Sequence, residues 1–189
     1  MKKFLSVLMA ICLMMMSSVV SFAAGTEDVS PQRKNELVQK FTSSYKMKTG
    51  ETPQILSVEV ERVDDLTLCK MLLVDNTVTR AAGYKTGHAV HAWFDDYDNH
   101  IGTIEIAADF EYSSSGISVT GWDYWASSMD NNADYDVTGE DWSDSGLFNK
   151  AYYKISYRFY YGSQNKSATL EVNCSNSGVL GDNGGTKNI

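Results

Sequence analysis

Proline, cysteine, histidine and basic side chains are scarce in this 189-residue sequence. It has two prolines, three cysteines and three histidines, and 16 Lys and Arg residues against 24 Asp and Glu. With 43% hydrophobic and 12% aromatic residues, the chain is too apolar for disorder, and its Pro and Gly content is too low for a fibrous or low-complexity protein. The net charge of −8 argues against a broad nucleic-acid-binding surface.

The signatures of several enzyme classes are also missing. The sequence at 88–91 is His-Ala-Val-His, which is not the HExxH zinc motif, and in a strand its two imidazoles lie on opposite faces. The sequence at 116–120 lacks the final glycine of a nucleophile elbow, and no GxxxxGK or GxGxxG phosphate loop occurs. Zinc hydrolase, serine hydrolase and nucleotide-binding chemistry therefore have no support.

Long apolar runs occur only at the N-terminus. A basic start is followed by an apolar segment over 4–16 and by small residues that place Ser21 and Ala23 at the −3 and −1 positions of a cleavage site. We predict a signal peptide over 1–23, with an uncleaved anchor as the alternative. The mature chain is then extracellular, without a membrane span, and loss of Lys2 and Lys3 changes its charge from −8 to −10.

Two cysteines remain in the mature chain, Cys69 and Cys174. An even pair in an exported protein predicts one disulfide bond. Two buried free thiols are the alternative.

Helical spacing occurs over one segment, 30–48. Ser30 can cap the helix and Pro31 suits its first position. The apolar residues of this segment recur at helical spacing: Leu37, Val38, Phe41 and Tyr45. We therefore divide the mature chain into an N-terminal helix and linker (24–54), a β domain (55–180) and a flexible tail (181–189).

From residue 55 onward the hydrophobic pattern has a period of two. Apolar residues alternate with polar ones over 56–61, 104–112, 153–159 and 170–174, whereas 66–74 is apolar on both faces. Such alternation is typical of antiparallel strands with one buried face. The sequence predicts an all-β, mainly antiparallel fold, either a β-sandwich or a partly closed barrel, with one short N-terminal helix.

A hairpin of strands 88–96 and 103–112 provides the first candidate binding face. Even-numbered apolar residues on both strands predict one shared inward face and an odd number of loop residues. The opposite face then carries His91, Trp93, Glu105, Asp109 and Glu111. A tryptophan beside carboxylates suits a sugar ring, and the alternative is that the helix covers Trp93.

Charge is strongly segregated. Between residues 88 and 145 there are thirteen acidic residues, all four tryptophans, and no lysine or arginine. Such a stretch predicts a negative surface that attracts cations or a basic partner. The alternative is a solvated acidic face without a specific role.

Part of the acidic stretch matches the spacing of a calcium loop. Its oxygen-bearing residues fall at positions 1, 3, 5, 7, 9 and 12: Asp130, Asn132, Asp134, Asp136, Thr138 and Asp141. Tyr135 stands where such loops have glycine, and Asp141 replaces the usual glutamate. Calcium is the one cofactor that the sequence suggests, and an Asx-rich loop is the alternative.

The segments 97–102 (Tyr-Asp-Asn-His-Ile-Gly) and 170–174 (Leu-Glu-Val-Asn-Cys) resemble a tyrosine-rich hairpin turn and a final strand ending at a cysteine. Over about residues 88–178 the chain resembles small secreted β-sandwich proteins of Gram-positive bacteria. That resemblance implies no activity and no catalytic residue.

Taken together, these patterns favour a secreted, non-catalytic β domain that binds a glycan, a cell-wall component or a basic protein partner. One alternative is a small secreted glycosidase that uses paired carboxylates. Another is a secreted toxin or bacteriocin-like effector.

Overall fold

A computed structural model of the chain describes residues 29–45, 54–75, 83–146, 150–183 and 185–187. The predicted signal peptide over 1–23 lies outside these residues. Among the described residues, no helix has the length and apolar content needed to cross a membrane.

Within the described ranges the chain forms one helix and ten strands. The helix α1 is Pro31–Ser44. The strands are β1 Gln54–Val63, β2 Leu66–Val74, β3 Tyr84–Phe94, β4 His100–Ser113, β5 Gly116–Ser128, β6 Ala133–Gly146, β7 Lys150–Tyr161, β8 Gln164–Ser175, β9 Leu180–Gly181 and β10 Gly185–Lys187.

The strands form two antiparallel sheets. The first is a meander in the order β1-β2-β3-β4-β5, and the second has the order β10-β8-β7-β6, with β9 also paired to β8. Neither sheet closes on itself. The predicted fold class is confirmed in its sandwich form, because the alternating apolar residues of both sheets meet in one core.

The main core lies between the two sheets. Trp93 of the first sheet stacks on Phe159 of the second, with ring centroids 4.8 Å apart, and both side chains are fully buried. Ile104 and Ile106 of β4 and Leu170 of β8 belong to the same cluster. The odd-numbered residues of β7 face this core, as the period of two predicts.

The helix creates a second, smaller core on the outer face of the first sheet. The Ser30 hydroxyl accepts a hydrogen bond from the Arg33 amide (3.3 Å), and Pro31 occupies the first turn, as predicted. Leu37 and Phe41 then pack against the outer face of β2 and β3. Strand β2 is therefore covered on both faces, which explains why its sequence is apolar throughout.

The segment 181–189, predicted to be a flexible tail, contains a strand instead. Residues Gly185–Lys187 pair with Ser167–Thr169 of β8 and form the edge strand β10. Backbone hydrogen bonds to an open sheet edge require no apolar side chains. The lack of apolar residues after Leu180 was therefore a poor guide to order.

Candidate functional site

The predicted hairpin of β3 and β4 forms, but its register differs from the prediction. His91 lies opposite Ile104, and Val90 lies opposite Glu105. Phe94 pairs with His100 while Trp93 pairs with Gly102, so β4 contains one extra residue, Ile101. This β-bulge shifts the pairing by one residue, although the loop over 95–99 has the expected odd length. The odd-numbered residues of β3 consequently face the core.

Because of this bulge, the prediction that His91 and Trp93 lie on a ligand-binding face is wrong. The Trp93 indole N–H donates to the Tyr157 hydroxyl (3.2 Å), which in turn lies 2.8 Å from His91 Nδ1. His91 and Trp93 are both buried between the sheets. Burial, with a smaller contribution from Lys70, lowers the pKa of His91 to about 3. This group is a neutral structural network of the core.

The three predicted carboxylates lie on the other face of β4, where they have separate environments. Glu105 is fully buried, Asp109 accepts a hydrogen bond from the Thr86 hydroxyl (2.5 Å), and Glu111 is exposed. None of them shares a face with Trp93. The proposed set of five ligand residues is therefore not one site.

Glu105 instead belongs to a buried polar cluster beneath the end of the helix. One carboxylate oxygen lies 2.9 Å from His88 Nδ1, and the other accepts a hydrogen bond from the Tyr45 hydroxyl. Burial and the neighbouring Glu105 carboxylate raise the pKa of Tyr45 well above its ordinary value, so its hydroxyl remains a donor. The Trp125 ring lies edge-on to His88, with centroids 6.3 Å apart.

A cavity of about 540 Å³ lies next to this cluster. Aromatic rings form much of its wall: Phe41, Tyr45, His100 and Trp125. The hydroxyls of Thr103 and Ser127 are the other polar groups on the described part of the wall. His100 Nε2 lies 2.7 Å from the Thr103 hydroxyl. Burial lowers the pKa of His100, which favours the neutral form of its imidazole. Sequence reasoning missed this site because Tyr45 and Glu105 are 60 residues apart.

A second feature lies where the edge strands β5 and β6 come together. Trp122 and Tyr124 of β5 and Trp142 of β6 are each more than 40% exposed, and we call these three residues the aromatic rim. The Trp122 and Trp142 rings are stacked, with centroids 4.8 Å apart. Trp122 lies opposite Ala108 and Trp142 opposite Tyr153, so both project from the core side of their sheets. The rim is the exposed margin of the core.

A carboxylate is held beside the aromatic rim. Glu140 lies two residues before Trp142 on β6, on the same side of the strand, and its side chain is exposed. The Tyr153 hydroxyl donates to Glu140 Oε1 (3.1 Å). Burial and this hydrogen bond raise the pKa of Tyr153 well above its ordinary value, which keeps the hydroxyl protonated as a donor. The Val119 amide, which donates to Asp144 (2.8 Å), links β5 to β6 at the same margin.

The residues predicted to form a calcium loop do not converge on a common centre. Asp134, Asp136 and Asp141 lie along β6, which rises about 3.3 Å per residue, so the first and last are far apart. Asp141 is paired with Lys154 (3.0 Å), and the Lys154 and Tyr152 hydrogen bonds lower its pKa. Only Asp130 and Asn132 lie in a turn, where their polar groups bond each other. The described residues contain no cluster of three or more His, Cys, Asp or Glu side chains able to hold a metal.

The predicted Cys69–Cys174 disulfide is likewise absent, and both cysteines are buried free thiols. Cys69 faces the helix on the outer side of the first sheet, whereas Cys174 faces the core between the sheets. Because β2 is apolar on both faces, its sequence could not show which face Cys69 occupies. Burial raises the pKa of Cys69 to about 12 and that of Cys174 to about 11.

Comparison with protein-family models, with curated proteins and with solved structures gives no match. The arrangement of the residues themselves is therefore the basis for a functional proposal. In the part of the chain that the structure describes, accessible aromatic rings and polar groups come together at the aromatic rim and at the cavity beneath α1.

Proposed function

We propose that this protein is a secreted, non-catalytic β-sandwich domain that binds glycans at the aromatic rim. The observation that carries the proposal is the exposed, stacked pair of Trp122 and Trp142. Large aromatic side chains that stay exposed side by side are unusual in a monomeric protein and are typical of binding surfaces.

The stacked pair offers a rigid surface for a sugar ring. Each indole restricts the other, so little side-chain freedom remains to be lost when a ligand binds. The apolar C–H face of a pyranose can pack on an indole, while its hydroxyls remain at the ring edge. Tyr124 extends the same surface on β5.

Glu140 supplies the polar component that sugar recognition requires. A carboxylate accepts hydrogen bonds from hydroxyl groups, and the Tyr153 hydroxyl fixes the position of this one. An exposed aromatic surface with a few placed polar groups matches the general composition of ligand sites.

The charge of the surrounding chain narrows the glycan class. Between residues 88 and 145, which include β4, β5 and nearly all of β6, there is no lysine or arginine. Sulfated or phosphorylated polymers would therefore be repelled. Neutral glycans and those with amino sugars fit the site best.

Glycan-array binding of the secreted chain tests the proposal, followed by titration of the best glycan against variants. Trp142→Ala is expected to weaken binding about tenfold or more, because a stacked aromatic contact is lost. Glu140→Gln, which keeps the side-chain shape, should weaken binding less. Tyr97→Ala is the matched control, since Tyr97 is 86% exposed on the distant 95–99 loop.

Equal affinity of the Trp142→Ala and Tyr97→Ala variants would contradict the rim as the binding site. Release of reducing sugar from the bound glycan, abolished by Glu140→Gln, would support a glycosidase instead.

A further inference from the structure

We infer that the cavity beneath α1 is a second ligand site, distinct from the aromatic rim, and that it takes a small alkylated ammonium cation. The two sites are separate because the cavity is lined from the outer face of β4 and β5, whereas the rim projects from the core side of β5 and β6.

The walls of the cavity are suited to a cation of low hydration. Phe41, Tyr45 and Trp125 present aromatic rings, and Phe41 and Tyr45 are stacked with centroids 4.7 Å apart. The negative faces of such rings attract alkylammonium groups, which lose little hydration when they enter an aromatic cage. At about 540 Å³, the cavity has the size of a small-molecule site.

The carboxylate of Glu105, next to the aromatic walls of the cavity, has the sign of charge that attracts a cation. Glu105 is fully buried, is the register partner of Trp125 on the same face of the sheet, and accepts a hydrogen bond from the Tyr45 hydroxyl, so its carboxylate lies beside two of the aromatic walls. Of the described residues that line the cavity, none is a lysine or arginine, and burial lowers the pKa of His100, which favours its neutral form. A buried carboxylate acts over a longer range than an exposed one because it is poorly screened.

The polar groups on the wall exclude other ligand classes. Thr103 and Ser127 provide two hydroxyls, which is far fewer oxygen ligands than a calcium or magnesium ion requires. An anionic ligand would lie close to Glu105, and the described lining residues include no lysine or arginine to pair with it. The two hydroxyls instead suit a ligand that carries a hydroxyl of its own beside its ammonium group.

The decisive experiment compares choline with 3,3-dimethyl-1-butanol, which has the same shape but a carbon in place of the charged nitrogen. Both are titrated into the secreted chain by calorimetry. Choline is expected to bind saturably, and the neutral isostere about tenfold or more weakly, since only the charged probe gains the cation–π and carboxylate terms. Equal affinity for the two probes, or no saturable binding of choline, would overturn the inference.

Three variants locate the site. Trp125→Leu should abolish choline binding, and Glu105→Gln should reduce it several-fold while leaving binding of the neutral isostere unchanged. Trp142→Ala, which alters only the aromatic rim, should leave choline binding intact. Should Glu105→Gln unfold, the isostere pair and Trp125→Leu still decide the question. Choline binding that survives Trp125→Leu would place it elsewhere and refute the cavity as its site.

Discussion

Replacing Trp93 by alanine is the most severe test of the hairpin register, which places the odd-numbered residues of β3 in the core. The structure places the whole indole between the sheets, stacked on Phe159 and hydrogen-bonded to Tyr157. Truncating a buried tryptophan costs about 3–5 kcal/mol, and losing the hydrogen bond to Tyr157 adds about 1 kcal/mol. For a chain of this length, each kcal/mol lowers the melting temperature by roughly 2–4 °C. The expected fall is therefore roughly 8–24 °C.

The assay is thermal and urea unfolding followed by circular dichroism, with two companion variants. Trp93→Phe keeps an aromatic ring against Phe159 and loses the N–H donor, so it should cost about 1–2 kcal/mol. Trp142→Ala removes an indole that is 45% exposed and should cost no more than about 1.5 kcal/mol, the value of one aromatic pair. A Trp93→Ala protein that melts within about 2 °C of the parent would refute the observed register.

Two further predictions concern buried ionisable groups. Between about pH 6.5 and pH 3, His91 is protonated in the unfolded chain but not in the folded protein, where it is buried. The free energy of unfolding therefore falls as the pH drops through this window, by up to about 1.4 kcal/mol per pH unit. His91→Gln should flatten this slope in urea unfolding between pH 4 and 7, and an unchanged slope would contradict the assignment. Cys69 and Cys174 should both react with iodoacetamide in urea without reductant and resist it when folded, as mass spectrometry can show; a crosslinked 69–174 peptide would contradict the free thiols.

The fold was predictable wherever a single local pattern decides the structure. Alternation along β4, β7 and β8 gave antiparallel strands with one buried face, and Ser30-Pro31 gave the start of α1. The apolar run over 66–74 is a strand, and the helix and the second sheet cover its two faces.

The site was less predictable because two features depend on more than the local sequence. The extra residue Ile101 shifts the pairing of β4 with β3 by one residue and so changes which face of β3 meets the core. No signal in the sequence distinguishes this bulge from regular pairing. The cluster of Tyr45, His88 and Glu105 requires the helix to dock on the outer face of the sheet. By contrast, the concentration of tryptophan and acidic residues over 88–145 did point to the region of the aromatic rim.

The most direct test of glycan binding at the aromatic rim uses the four tryptophans as reporters. Each indole N–H gives its own signal in a ¹H–¹⁵N spectrum, assigned by single substitutions. We expect the best-binding glycan to shift the Trp122 and Trp142 signals and to leave those of the core residue Trp93 and the cavity residue Trp125 in place. A titration in which Trp93 or Trp125 shifts while Trp122 and Trp142 do not would contradict the proposed function.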